Sequence, residues 1–189
     1  MILYTIQNES KWNEFQQTGI LKSDNTHICC DDFLDSYTWM ERKMRELLPH
    51  SDIECIHPIW AWYKYDYKNK PDLRRSGHLS KGEIGYRIEF EIEKNKVLLT
   101  DFSNWHLILN ASDEDRKVEY FHYCELEEAN RDDDVPALIE EGFEIVDNQL
   151  IFNWNKIILD ENSHKRDIQA TMWYLKLEQV KSVTKFKAR

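Results

Sequence analysis

Ile84-Gly85-Tyr86-Arg87-Ile88-Glu89-Phe90-Glu91-Ile92 is the stretch from which the fold can be read. Ile84, Tyr86, Ile88, Phe90 and Ile92 alternate with Gly85, Arg87, Glu89 and Glu91. A period of two with one apolar face predicts a half-buried strand. Beyond it, residues 93–95 can turn the chain into a second strand at Val97-Leu98-Leu99. A short helix with Trp105 and Leu109 follows, for which Asp101 or Ser103 is the cap. Before it, residues 2–7 read as a strand, and a helix capped by Ser10 carries Trp12 and Phe15 up to Gly19. Phe33, Tyr37, Met40, Met44 and Leu47 recur at helical spacing until Pro49, after a cap at Asp31 or Asp32. Residues 57–67 predict an aromatic strand and residues 68–82 a basic loop. Two helices are expected between Glu114 and Phe143, divided by the Asp132–Asp134 run and Pro136. Residues 169–183 return to strand character, with Thr171, Trp173, Leu175 and Leu177 on one face. Antiparallel-type alternation with helices in blocks predicts one α+β domain over residues 1–189, with a mixed or antiparallel sheet.

The composition bounds the function. Of 189 residues, 41% are hydrophobic and 13% aromatic, enough for a core and too many for a disordered chain. Mean hydropathy is -0.70, and no apolar run approaches the roughly 20 residues of a membrane span. The first residues lack a basic n-region, so a cytoplasmic location without membrane partners is expected. Cys29, Cys30, Cys55 and Cys124 contain no C-x-x-C, and no second cluster faces His27, Cys29 and Cys30. Reduced thiols and no metal cofactor are therefore expected.

The net charge of -10 is unevenly spread. Residues 113–147 hold 14 acidic side chains against Arg116, Lys117 and Arg131, a net of -11, and read as an acidic helical segment. Residues 64–81 carry six basic against two acidic groups, and residues 176–189 five against one, each a net of +4. The acidic segment predicts a solvated face or a partner surface, and the basic stretches a local phosphate site. The acids show no ligand spacing, which disfavours a metal-dependent nuclease.

No P-loop, G-x-G-x-x-G, G-x-S-x-G or H-E-x-x-H motif occurs. Trp60-Ala61-Trp62-Tyr63 puts two indoles on one strand face, either as core or as a stacking wall for a planar ring. Lys70-Pro71-Asp72-Leu73-Arg74-Arg75 follows, and guanidinium forks suit phosphate oxygens. The junction at Asp101-Phe102-Ser103 can offer backbone N–H groups to an anion, and His106 reads as structural. Gln169 presents an amide at a strand mouth, able to hold a ribose hydroxyl.

Several of these pieces also carry a resemblance: Leu3-Tyr4-Thr5-Ile6-Gln7, Pro58-Ile59-Trp60-Ala61-Trp62-Tyr63, Lys70-Pro71-Asp72-Leu73-Arg74, Leu99-Thr100-Asp101-Phe102-Ser103-Asn104-Trp105-His106, and Ile168-Gln169-Ala170-Thr171-Met172-Trp173. Over the whole chain they resemble a bacterial domain family of unknown function. More distantly, the strand, helix and Gly19-terminated turn at the start, with the late strand at Gln169, are similar to the ADP-ribosyltransferase fold of bacterial toxin–antitoxin and phage-defence toxins. That resemblance implies a split β-core binding NAD as substrate, with a nucleic-acid acceptor and an antitoxin protein as partners. It implies cofactor contacts at Tyr4, Thr5, Gln7, Trp60, Trp62, Tyr63 and Arg75, and catalytic contacts at Gln169, Asp101 and Arg74. Gln169 stands where that fold usually carries a Glu, and an amide cannot act as a base. The competing expectation is a non-catalytic binding module that uses its acidic face.

Overall fold

Ile2–Asn8 forms β1, and the following helix α1 (Glu9–Thr18) is capped by Asn8, whose side chain accepts from Lys11 N at 2.9 Å. The cap is thus two residues earlier than Ser10. Gly19 closes α1 at φ 74°, a left-handed conformation that glycine adopts without a Cβ penalty. The computed structural model describes residues 1–23, 33–50, 53, 57–111 and 119–189. Cys29, Cys30, Cys55, His27 and the cap expected at Asp31 or Asp32 lie outside the described residues.

The further strands are β2 (Ile20–Lys22), β3 (Ile59–Lys64), β4 (Ile84–Glu91), β5 (Leu98–Asp101), β6 (Tyr120–Glu125), β7 (Phe143–Val146), β8 (Gln149–Asn153), β9 (Ile158–Leu159), β10 (Ile168–Met172), β11 (Tyr174–Lys176) and β12 (Val180–Lys187). The further helices are α2 (Leu34–Leu47), α3 (Phe102–Asn110), α4 (Leu126–Asp132) and α5 (Val135–Glu141). A seven-stranded sheet runs β12-β4-β1-β3-β10-β5-β9, beside a β11-β2 pair and a β6-β8-β7 sheet. Among the described residues every one of these strand pairings is antiparallel, which gives an α+β domain.

Alternation along the strands sends side chains to two cores. Leu3, Ile88, Phe90, Ala61, Ala170 and Leu99 pack against Trp12 and Phe15 of α1. Leu98, next to Leu99, faces the other way, towards Trp39, Met40 and Met44 of α2, Trp105 and Ile108 of α3, and Phe152 of the small sheet. Phe15, Ile88, Phe90, Met40, Met44 and Phe152 have no exposed surface, and such side chains contribute about 1.5–3 kcal/mol each.

Three expectations change. The strand at Val97-Leu98-Leu99 exists, but β5 sits between β10 and β9, far from β4 in the sheet. The segment 169–183 is not one strand. β11 leaves the main sheet to pair with β2, and β12 crosses to the opposite edge to pair with β4. The acidic stretch 113–147, expected to be helical, contains α4 and α5 but also β6 and β7, with residues 113–118 outside the described part. Pairing with β8 supplies the order there that alternation does not announce.

Candidate functional site

β1 is paired unequally on its two sides. Towards β4 the register runs unbroken from Ile2↔Glu91 to Asn8↔Gly85. Towards β3 it is a single point, Tyr4↔Trp62, although β3 itself pairs with β10 from Lys64 to Ile59. The strands part beside that point. Between Thr5, Ile6 and Gln7 on one side and Ile59, Trp60 and Ala61 on the other lies a cleft of about 550 Å³.

Trp62 and Gln169 occupy the same row of the sheet, because Gln169 stands directly opposite Trp62. Both line the cleft. The Trp62 ring lies 4.9 Å from Tyr65 and 5.0 Å from Phe102. Trp60 packs 5.4 Å from Trp105 and edge-on to Tyr37. Both indoles are half-buried, so they keep a solvent-facing surface. Thr5 Oγ1 donates to the Trp60 carbonyl at 3.0 Å and accepts from Gln7 Nε2 at 2.8 Å, a side-chain bridge where the backbone ladder has ended. Among the described residues the Gln169 amide has no side-chain hydrogen-bond partner.

The cleft therefore brings together Thr5, Gln7, Trp60, Trp62 and Gln169. It leaves out the other expected residues. Tyr4 is buried under Lys70, and burial and the neighbouring Glu89 raise its pKa. Tyr63 takes the opposite strand face and donates to the Glu161 carbonyl at 3.2 Å. Arg74 forks onto Asp72 at 2.9 and 2.7 Å, with 79% of its side chain exposed. That fork holds the Asp72 carboxyl far below the usual carboxylate range. Arg75 pairs with Asp66 at 2.5 Å and lies over Tyr65, so a ring separates it from Trp62. Asp101 is buried and caps α3, accepting from Ser103 N at 3.0 Å and Asn104 N at 3.2 Å, with Lys165 at 3.2 Å. It opens on a separate polar pocket with Asp167 and Lys165, and it occupies the N–H groups that an anion would have used.

Residues for which the sequence suggested no binding role, His106 among them as an expected structural residue, complete the walls. Phe102 and His106, four apart on α3, form one wall, and their rings meet edge-on at 4.5 Å. Their spacing on one helix face was the available signal. Lys11 of α1, Lys22 of β2 and His78 of the loop also line the cleft, from positions with no local pattern. His106 is exposed, and desolvation on the side shielded by Phe102 lowers its pKa. His78 donates from Nε2 to the Asp72 carbonyl at 3.0 Å. No carboxylate is among the lining residues described. Among the described residues no group of three or more His, Cys, Asp or Glu side chains gathers as metal ligands, and no helix is long and apolar enough to cross a membrane.

Together these features define an α+β protein with an aromatic, amide-bearing cleft set where two strands of its main sheet separate. Residues 2–181 match the family described as a domain of unknown function, DUF3841, and the chain belongs to that family. No curated protein and no solved structure matches it significantly.

Proposed function

We propose that this cleft binds NAD and that the protein transfers its ADP-ribose to an acceptor, with nucleic acid as the acceptor class. The observation that supports this reading is the parting of β1 and β3, which gathers Thr5, Gln7, Trp60, Trp62 and Gln169 around one cavity. Its size falls within the roughly 300–1,000 Å³ of ligand pockets. Indole faces suit the nicotinamide ring, and the Gln169 amide can hold a ribose hydroxyl. Lys11, whose ammonium also pairs with Glu14 at 3.1 Å, and Lys22 bring positive charge for the diphosphate to the α1–β2 side of the cleft, a role the sequence had suggested for Arg74 and Arg75. Cleaving the nicotinamide–ribose bond passes through an oxocarbenium-like state, so positioning and charge stabilisation carry much of the rate. The loop that brings Gly77 and His78 to the cleft also carries Lys68, Lys70, Arg74, Arg75 and Lys81, a basic approach for a polyanionic acceptor.

Thermal denaturation with NAD tests the reading. Ligand at 100 times Kd adds ~2.7 kcal/mol, a rise in Tm of roughly 5–10 °C for a chain of this size. Labelled NAD with RNA or DNA should then label the nucleic acid. Absence of a shift at millimolar NAD refutes the reading.

A second reading, a binding module, draws on a different observation. Tyr123, Ile139, Ile145 and Val146 are exposed apolar side chains within the acidic stretch, a surface suited to a basic protein partner such as an antitoxin. It predicts binding of such a partner by a protein that shows no response to NAD.

A further inference from the structure

We propose that His106 is the general base of the cleft, taking the proton from the acceptor as the acceptor's heteroatom attacks the ribose carbon. This rests on the reading of the cleft as an NAD site. In the step, the ribose C1′–nicotinamide bond breaks and its electron pair leaves with neutral nicotinamide. A lone pair of the acceptor forms the new bond to C1′, and the acceptor's proton passes to an imidazole nitrogen and then to solvent.

Gln169 cannot accept a proton at neutral pH, and Asp101 faces another pocket with its oxygens engaged by Ser103 N, Asn104 N and Lys165. The titratable groups lining the cleft among the described residues are Lys11, Lys22, His78 and His106. An ammonium has no lone pair to offer. His78 donates from Nε2 to the Asp72 carbonyl, which leaves Nδ1 as its acceptor, but it stands on the loop outside any helix or strand, with its ring near Tyr65 and Phe186. His106 is exposed and differs in what supports it. Among the described residues its ring nitrogens have no hydrogen-bond partner. It stands on α3, which is fixed by the Asp101 cap and by buried Trp105 and Ile108. Its ring meets Phe102, which in turn meets Trp62, so His106 sits one ring away from the proposed nicotinamide wall, as His78 does through Tyr65. Contact with Phe102 shields one side of the exposed ring, and that desolvation lowers its pKa, which favours the neutral imidazole, the form that accepts a proton. Lys11, which pairs with Glu14 at 3.1 Å, Lys22 and His78 line the same cavity.

The test uses NAD alone with water as the acceptor, followed by nicotinamide release and calorimetric NAD binding. His106→Ala and the size-conserving His106→Gln should still bind NAD and, at saturating NAD, lose at least about 100-fold in kcat. The parent's kcat should fall on acidification through an ionisation below the usual imidazole value of about 6.5, and added imidazole should restore part of the His106→Ala rate. Binding of NAD with an unchanged rate and acid limb in both variants overturns the role of His106 and leaves the NAD site standing. Parent protein that binds NAD but releases no nicotinamide overturns it too. Parent protein that fails to bind NAD overturns both readings.

Discussion

Replacing Asp101 with Ala separates a structural carboxylate from a reacting one. Asp101 is 3% exposed and accepts from two backbone N–H groups at the start of α3, and its second oxygen accepts from Asn104 Nδ2 at 3.3 Å and faces Lys165 at 3.2 Å. Loss of an N-cap costs about 1 kcal/mol. Loss of a charged acceptor from buried donors costs about 1.5–3 kcal/mol, towards the low end here because Lys165 keeps 31% of its side-chain exposure. The expected destabilisation is about 3 kcal/mol, a fall of about 1.5 M in the urea midpoint at a slope near 2 kcal/mol/M. Asp101→Asn keeps the acceptor for Ser103 N and Asn104 N but gives up the ion pair, so about half that loss is expected. Because α3 carries Phe102 and His106 into the cleft, NAD affinity should weaken in step with stability across the two variants. Denaturation and NAD titration on the same samples make the comparison. An Asp101→Ala protein within 0.5 kcal/mol of the parent (roughly the scatter of neutral surface changes) that has lost NAD turnover would refute the reasoning and make Asp101 a reacting group.

Gly85 lies in β4 where an added Cβ would fall 2.5 Å from Leu79 Cδ1 and 2.6 Å from the Phe186 ring. Gly85→Ala should therefore destabilise by about 1–2 kcal/mol by prising β12 from β4, read as a lower unfolding midpoint. Arg74→Ala should leave both NAD binding and stability unchanged, since Arg74 points to solvent on Asp72, and a tenfold weaker NAD titration would contradict the cleft's boundary. Burial pushes Glu119 up, but hydrogen bonds from Arg42 and Trp39 outweigh it and hold the carboxyl below its ordinary value. The unfolded chain then binds the proton more readily, so this stabilisation is present above about pH 4.3 and lost as the pH falls further. Melting curves between pH 6 and 3 should show a shallower acid decline in Glu119→Gln than in the parent.

Elements with a strong local period were legible in advance. The 84–92 alternation became β4 with Ile88 and Phe90 fully buried, and the stripe through Met40 and Met44 became α2. Leu47, at the end of that stripe, is 54% exposed, because the buried face steps from Met40 and Met44 to Leu48, which packs in the core in its place. β6 was missed. Its Tyr120-Phe121-His122-Tyr123 run shows no clean alternation, and the strand exists through pairing with β8 across a register shift at His122/Cys124. The candidate site was half legible. Trp60, Trp62 and Gln169 stood out by residue type, whereas Lys11, Lys22 and His78 had nothing local to mark them.

Local chemistry settled the periods, the Gly19 stop and the concentration of charge, because each depends on residues within a few positions of one another. Strand order, the single β1–β3 register point, the separation of Arg74 from Gln169 and the turning of Asp101 into a neighbouring pocket were settled by folding. Each of these depends on contacts between segments far apart along the chain. Strand partners are chosen by which apolar faces can be buried together, and a one-residue change of register would send every side chain of a strand to the other face.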